Sequence, residues 1–262
     1  MNASVTAANV SVRVEERPAG AVAHVTIENA AKLNTLGHAL MIDLVSRVEA
    51  LSARDDLRVV VLTGAGPKAF VGGANIHEMA TLNAEGARAF ITLVHRSCAC
   101  LRELPVPVIA RINGYALGAG LEVAAACDLR IASANAVFGM PEVKVGIPSV
   151  VEAALLPGLI GWGRTRELLL FGENIDAATA RSWGLVEQVV APEALDAAVE
   201  ARITALLQCG PQAVRLQKAL IRQWEDLTLS QAVRAGIESF TRAYATDEPA
   251  RMMSGFGKRR GA

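Results

Sequence analysis

The residues of this chain best suited to chemistry are two glutamates, Glu122 in Asn113-Gly-Tyr-Ala-Leu-Gly-Ala-Gly-Leu-Glu122 and Glu142 in Phe138-Gly-Met-Pro-Glu142. Paired carboxylates presented by glycine-rich turns suit general acid/base work. Glu122 follows Gly118-Ala119-Gly120 by about one helical turn, which predicts that it lies beside the free N–H groups of a helix start. Such a start attracts anions. Taken singly, each glutamate also has a plainer reading: Glu122 as a helix-start carboxylate stabilised by the dipole, and Glu142 as a solvated loop residue after Pro141.

An alternation of strands and helices must position these groups. Val22–Ile27 reads as a strand, and Leu36–Ala53 as an amphipathic helix with Leu40, Leu44, Val48 and Leu51 at spacings of three or four. Arg58–Thr63 is a β-branched run closed by Gly64-Ala-Gly66, which predicts a strand buried on both faces. Val106–Ala110 and Leu129–Ala132 are further predicted strands, with a short buried helix over Gly118–Ala126 between them. Beyond about residue 149 only Val186–Val190 looks like a strand. Residues 193–208, 211–224, 228–245 and 247–256 look helical, with Pro192, Pro211 and Pro249 near helix starts. The apolar stripes Leu216, Leu220, Trp224 and Leu229, Val233, Ile237, Phe240 require partners, in this chain's core or on a neighbouring subunit.

Composition excludes several classes. The chain has 262 residues, is 52% hydrophobic and carries 26 basic and 26 acidic side chains. That is a well-cored globular protein without a net field to gather nucleic acid or anionic lipid. Cys98, Cys100, Cys127 and Cys209 lack metal or disulfide spacing and read as reduced thiols of a cytosol. His24, His38, His77 and His95 are scattered without ligand spacing, so surface or capping roles are expected and no metal site. The N-terminus has no basic start followed by an apolar block, and Glu122 interrupts the apolar stretch after Gly114. A cytoplasmic protein without a signal peptide or membrane span is expected.

Four segments together resemble one family: Asn34-Thr-Leu36, Ala69-Phe-Val-Gly-Gly-Ala-Asn-Ile-His-Glu-Met79, and the two segments that end in Glu122 and Glu142. The chain resembles the crotonase, or enoyl-CoA hydratase/isomerase, superfamily from about residue 20 to the C-terminus. The resemblance implies an α/β fold, a crotonase-like spiral of ββα units over residues 1–200, with a helical C-terminal trimerisation region over 201–262. A homotrimer or a dimer of trimers follows from it, as does an acyl-CoA thioester substrate. Coenzyme A is then part of the substrate, and no cofactor is expected. The resemblance assigns the oxyanion-hole N–H groups to Ala74 and Ala119, and the two catalytic carboxylates to Glu122 and Glu142. It places Lys32, Leu33, Ala74, Asn75, Ile76, His77, Gly118 and Ala119 at the substrate and coenzyme A site. Lys258, Arg259 and Arg260 stand near where relatives carry a basic group by the coenzyme A phosphates, with a solvated basic tail as the equal alternative.

These residue types suit the chemistry. A thioester that reacts beside its carbonyl develops enolate charge on oxygen, and two fixed N–H donors stabilise it; losing one such donor costs roughly 10²–10³ in rate. Two carboxylates flanking one water can take and deliver the protons of hydration, with Glu142 the expected donor to carbon. The chain departs from the family at Asn75, where aspartate is usual and where asparagine also caps a helix. It departs further at Gly146-Ile-Pro-Ser-Val-Val-Glu152, where many hydratases carry Gly-Ala-Gly-Gly-Thr-Gln. Val150, Val151 and Glu152 therefore bear on the acyl pocket. Glu152 reads as a solvent-facing residue in the first turn of a helix, with a third active-site acid as the alternative. Enoyl-CoA hydratase is the leading expectation. Another crotonase-family reaction, such as isomerisation, hydrolysis or dehydration of an unusual acyl-CoA, is the nearest rival, and an RNA-binding scaffold the distant one.

Overall fold

In a computed structural model, residues 8–256 are described, so the basic run Lys258–Arg260 lies outside the described residues. Two sheets carry the architecture. The larger has six strands: β1 (Asn9–Glu15), β2 (Ala21–Glu28), β3 (Leu57–Gly64), β5 (Val108–Ile112), β7 (Leu129–Ser133) and β10 (Gln188–Val190), paired in that order. The smaller pairs β4 (Ala69–Val71), β6 (Tyr115–Leu117), β8 (Val137–Gly139) and β9 (Ile175–Asp176). Apart from the antiparallel β1–β2 and β8–β9 pairs, all pairing is parallel.

Successive strands alternate between the sheets before each helix. β3 and β4 lead to α2 (Ile76–Met79) and α3 (Ala84–Glu103), β5 and β6 to α4 (Ala119–Ala126), and β7 and β8 to α5 (Leu156–Phe171). Each turn advances one place in both sheets, so the chain is a spiral of ββα units. An earlier turn is partly formed: β2 is followed by Leu36, which bridges Ala74 in parallel, and then by α1 (His38–Leu51).

Alternation within β3 explains burial on both faces. Val60 and Leu62 enter the main core, while Val59 and Val61 face a second cluster closed by Leu195, Val199 and Ile203 of α7 (Leu195–Leu207). Full burial of each such side chain contributes about 1.5–3 kcal/mol. α7 thus covers the outer face of the large sheet, and it runs through residue 200. α6 (Ala177–Trp183) and the two-residue β9 fall where the sequence pattern assigns no element. Glycines at 158, 161 and 163 blur the periodicity of α5, and Gly161 sits inside it at φ 76°.

Predicted boundaries move for local reasons. The first helix starts at His38 rather than Leu36 because Leu36 N–H donates to Gly73 O (2.8 Å) and its carbonyl accepts from Asn75 (2.8 Å). The strand predicted from Val106 starts at Val108, after Pro107, which has no N–H to donate to a ladder. α8 (Pro211–Trp224), α9 (Leu229–Ala243) and α10 (Glu248–Phe256) follow the predicted helical spans closely. Leu220 is buried, whereas Trp224, Leu229, Val233, Ile237 and Phe240 are exposed on this chain. Among the described residues no helix is long and apolar enough to cross a membrane.

The crossing from large to small sheet between β3 and β4 is held by side-chain amides. Buried Asn34, at φ 56°, donates through Nδ2 to Ala65 O (2.9 Å) and Ala69 O (2.8 Å), and its Oδ1 accepts from Asn29 N–H (2.9 Å). Asn113 Nδ2 reaches Gly64 O and Ala69 O, each at 3.1 Å. Replacing Asn34 by alanine strands these buried groups, so a loss of about 2–4 kcal/mol is expected. Urea unfolding of Asn34→Ala checks this, and an unchanged midpoint would show the corner is held by other contacts.

Candidate active site

Three parallel strands of the small sheet end side by side. Beyond β4 comes Gly72-Gly73-Ala74, beyond β6 Gly118-Ala119, and beyond β8 Met140-Pro141-Glu142. Adjacent strands lie about 4.8 Å apart, so these three exits share one edge. Carboxyl ends of parallel strands are where open α/β sheets gather ligand groups.

Ala74 and Ala119 lie at two of these exits. Among the described residues neither the Ala74 nor the Ala119 N–H has an acceptor, because Leu36 pairs with the residues flanking Ala74 and Ala119 opens α4. Glycines allow the approach: a Cβ on Gly73 (φ 116°) would lie 3.2 Å from Leu117 O, and one on Gly120 would lie 2.0 Å from Val71 O.

Glu122 is the one charged residue of α4, a helix whose eight residues are all buried. Its Oε1 accepts from Ala153 N–H at 3.3 Å. Burial chiefly, then the charge of Glu142 and more weakly that of Glu152, push its carboxyl up to about 8, against the pull of the Ala153 hydrogen bond. Such a shift in a buried acid beside a second carboxylate makes this a candidate functional site.

Glu142 stands on a 3-10 turn, Pro141–Val145, and is half-buried. Its Oε2 accepts from Ser149 Oγ at 2.7 Å, and its Oε1 lies over Gly118, where a Cβ would come within 2.3 Å. Gly118 itself adopts φ 52°, ψ −123°. Both glutamates and both donors thus meet at one edge.

The raised pKa of Glu122 has a stability consequence. Between pH 4.5 and about 8 the folded protein keeps a proton there that the unfolded chain releases, so this contribution falls as pH rises through that window. Glu122→Gln is therefore expected to gain stability over wild type as pH rises from about 5 to about 9. Urea midpoints at the two pH values decide it; a difference independent of pH would place Glu122 at an ordinary carboxylate value.

The residues assigned to coenzyme A lie along one rim of the same edge. Ala30–Lys32 forms a 3-10 turn ended by Leu33 at φ 53°, and Leu33 O accepts from Gly72 N–H at 2.8 Å. Lys32 and Leu33 are exposed, as are Ile76 and His77 at the start of α2. Asn75 caps that helix as expected, accepting from His77 N–H at 3.1 Å, while its Nδ2 donates to Glu78 Oε1 at 2.8 Å.

Glu152 corrects the sequence reading. It is not solvent-facing: its side chain is 7% exposed, and Oε1 meets His95 Nδ1 of α3 at 2.8 Å. The 3-10 turn Val151–Leu155 points it inward, against α3 and α4. Sequence reasoning also passed over Ser149 and the pairing role of His95. Ser149 lay within the segment already marked as unusual, but His95 is 57 residues from its partner and carried no local signal.

Two cavities lie elsewhere, one of about 750 Å³ between β1, β2 and α7 and one of about 440 Å³ beside α5, and neither is lined by the two glutamates. Among the described residues no three of His, Cys, Asp or Glu gather as a metal-ligand set.

Known proteins share this arrangement of sequence and fold. The enoyl-CoA hydratase/isomerase family matches residues 17–262. The short-chain-enoyl-CoA hydratase of Clostridium acetobutylicum is 36% identical over 242 residues, 92% of this chain and 93% of that one. The crotonyl-CoA hydratase of Syntrophomonas wolfei is 34% identical over 255 residues, 97% of this chain and 96% of that one. The crystal structure of an enoyl-CoA hydratase from Bacillus anthracis superposes with a TM-score of 0.90 at 33% identity, covering 96% of each chain. A mixed α/β spiral and a family match over residues 17–262 agree: this chain belongs to the enoyl-CoA hydratase/isomerase family.

Proposed function

We propose that the protein is an enoyl-CoA hydratase that adds water to a short 2-enoyl-CoA to give a 3-hydroxyacyl-CoA. The observation that carries this reading is buried Glu122, its carboxyl pushed up to about 8, sharing a strand-end edge with Glu142 and two backbone N–H groups without acceptors among the described residues. Relatives that are hydratases of crotonyl-CoA and short-chain enoyl-CoA support the substrate class.

In this reading the thioester oxygen lies between the N–H groups of Ala74 and Ala119, where enolate charge is stabilised. A water lies between the two carboxyls. Addition starts from the form in which the pair's one proton sits on Glu142: the water oxygen bonds to the β-carbon, ionised Glu122 takes the water's proton, and Glu142 delivers its own to the α-carbon, which leaves the proton on Glu122. One proton thus passes between the two carboxyls in addition and passes back in the reverse reaction. Lys32, Leu33, Asn75, Ile76 and His77 form the rim for the coenzyme A moiety, and Gly118 gives the acyl group room against the backbone. The reaction needs no cofactor, since every acid, base and donor is a group of the chain.

The exposed stripe Leu229, Val233, Ile237 and Phe240 supports a homotrimer or a dimer of trimers, which mass measurement in solution decides. The free cysteines support a cytoplasmic setting. Mixing the protein with crotonyl-CoA tests the function directly: the absorbance of the conjugated enoyl thioester is expected to fall rapidly. No fall, despite binding of the ester, would overturn hydration of this acyl group.

A further inference from the structure

The least economical feature around the proposed site is the turn that follows Ser149. Val151 is β-branched yet sits at φ 39°, in the left-handed region that such residues avoid. Strain of this kind persists where surrounding structure imposes it. The turn aims two consecutive residues inward: the Ala153 N–H is shared between Val150 O (2.9 Å) and Glu122 Oε1 (3.3 Å), and the Glu152 side chain turns in to His95. Oε2 of Glu152 is buried and has no hydrogen-bond partner among the described residues. A buried carboxylate oxygen without a donor is costly, and a chain could avoid it with an apolar residue.

We propose that Glu152, anchored by His95, is a positioning residue for Glu122: it fixes the strained turn that holds the Glu122 carboxyl. The inference rests on the reading of Glu122 as a catalytic carboxyl. Its electrostatic surroundings are few. Glu142 faces Glu122 from the 141–145 turn, Glu152 from the 151–155 turn, and buried Cys98 from α3 senses both Glu122 and Glu152. His95 stands behind Glu152 at the surface end of the pair, with its side chain 54% exposed. β4 brings no titratable group, and the Tyr115 side chain of β6 is exposed. The charge of Glu152 and the field of Glu142 thus act on Glu122 in the same direction.

The test titrates Glu122 itself. The infrared band of its neutral carboxyl, assigned by its loss in Glu122→Gln, is followed against pH in wild type, Glu152→Gln and Glu152→Asp. The pH profile of kcat/KM for crotonyl-CoA is measured beside it. In Glu152→Gln the band midpoint and the basic limb of the rate are both expected at lower pH than in wild type, with KM little changed. Glu152→Asp, which restores a carboxylate, is expected to return the midpoint toward the wild-type value. An unmoved band with a rate lowered equally at every pH would make Glu152 merely structural and overturn the proposal, as would equal shifts in both variants. A moved band in a protein whose wild type does not hydrate crotonyl-CoA would keep Glu152 as the positioning residue and remove the hydratase reading.

Discussion

Glu142→Gln is expected to lower kcat for hydration of crotonyl-CoA by at least about 10²-fold, the low end for loss of a general acid/base group. Glutamine has nearly the shape of glutamate, and its amide oxygen still accepts from Ser149 Oγ, which now lies 2.7 Å from Oε2. It also needs no new room over Gly118. The fold and the binding of the ester should therefore survive, so that KM changes little while turnover collapses. A second effect accompanies the first. The charge of Glu142 is the second largest cause that raises the Glu122 carboxyl, after burial, so its removal should let Glu122 ionise at lower pH. Stopped-flow absorbance with crotonyl-CoA, run beside equilibrium binding of a saturated acyl-CoA, separates the two terms. Turnover near wild type would remove Glu142 from the mechanism; lost binding with unchanged kcat would make it a binding residue instead.

Much of the positioning scaffold was legible because its signals are local. A β-branched run closed by Gly64 marked β3, short apolar runs marked β2 and β7, and the glycines around Ala119 marked the start of α4. Proline at helix starts and apolar stripes marked α8, α9 and α10 to within a residue or two. What escaped was β1, the glycine-blurred α5, and elements that are short or non-local. β4, β6 and β8 have three residues each, too few for periodicity to register, yet together they build the edge on which both glutamates and both donors stand. β9 has two residues and exists because β8 offers it an antiparallel partner. The small sheet is thus a tertiary object, assembled by residues far apart in sequence.

The site divides in the same way. Glu122, Glu142, Ala74 and Ala119 sit in motifs whose glycines advertise close backbone approach. The surroundings of Glu122 were hidden, because its partners come from a turn about thirty residues downstream and from a helix upstream. Glu152 illustrates why: an acidic residue near a predicted helix start is ordinarily solvated, and only the left-handed Val151 backbone turns this one inward. The β-branched residue gave no hint of that conformation, which glycine would have announced.

Gly118→Ala is the sharpest probe of that close approach. The residue is held from both sides: its N–H donates to Gly139 O (2.9 Å), and its carbonyl accepts from Leu121 (2.8 Å) and Glu122 (3.1 Å), so the peptide cannot turn freely. At φ 52°, ψ −123° an alanine is strained by roughly 1–3 kcal/mol. Its Cβ would also stand 2.3 Å from Glu142 Oε1, so the carboxylate must move or the turn must open. Either response disturbs the proposed chemistry, the first by displacing Glu142 and the second by re-aiming the Ala119 N–H. A fall in kcat of roughly 10²–10³ is expected, the cost of losing one oxyanion donor. Gly161→Ala supplies the control: its φ is 76° but nothing lies within 4 Å of an added Cβ, so it carries backbone strain without touching either carboxylate. Similar losses of urea stability in the two variants, with turnover lost only at Gly118, would tie the rate to the geometry of this turn. Near wild-type turnover in Gly118→Ala would show that neither the Glu142 position nor the Ala119 donor limits the reaction.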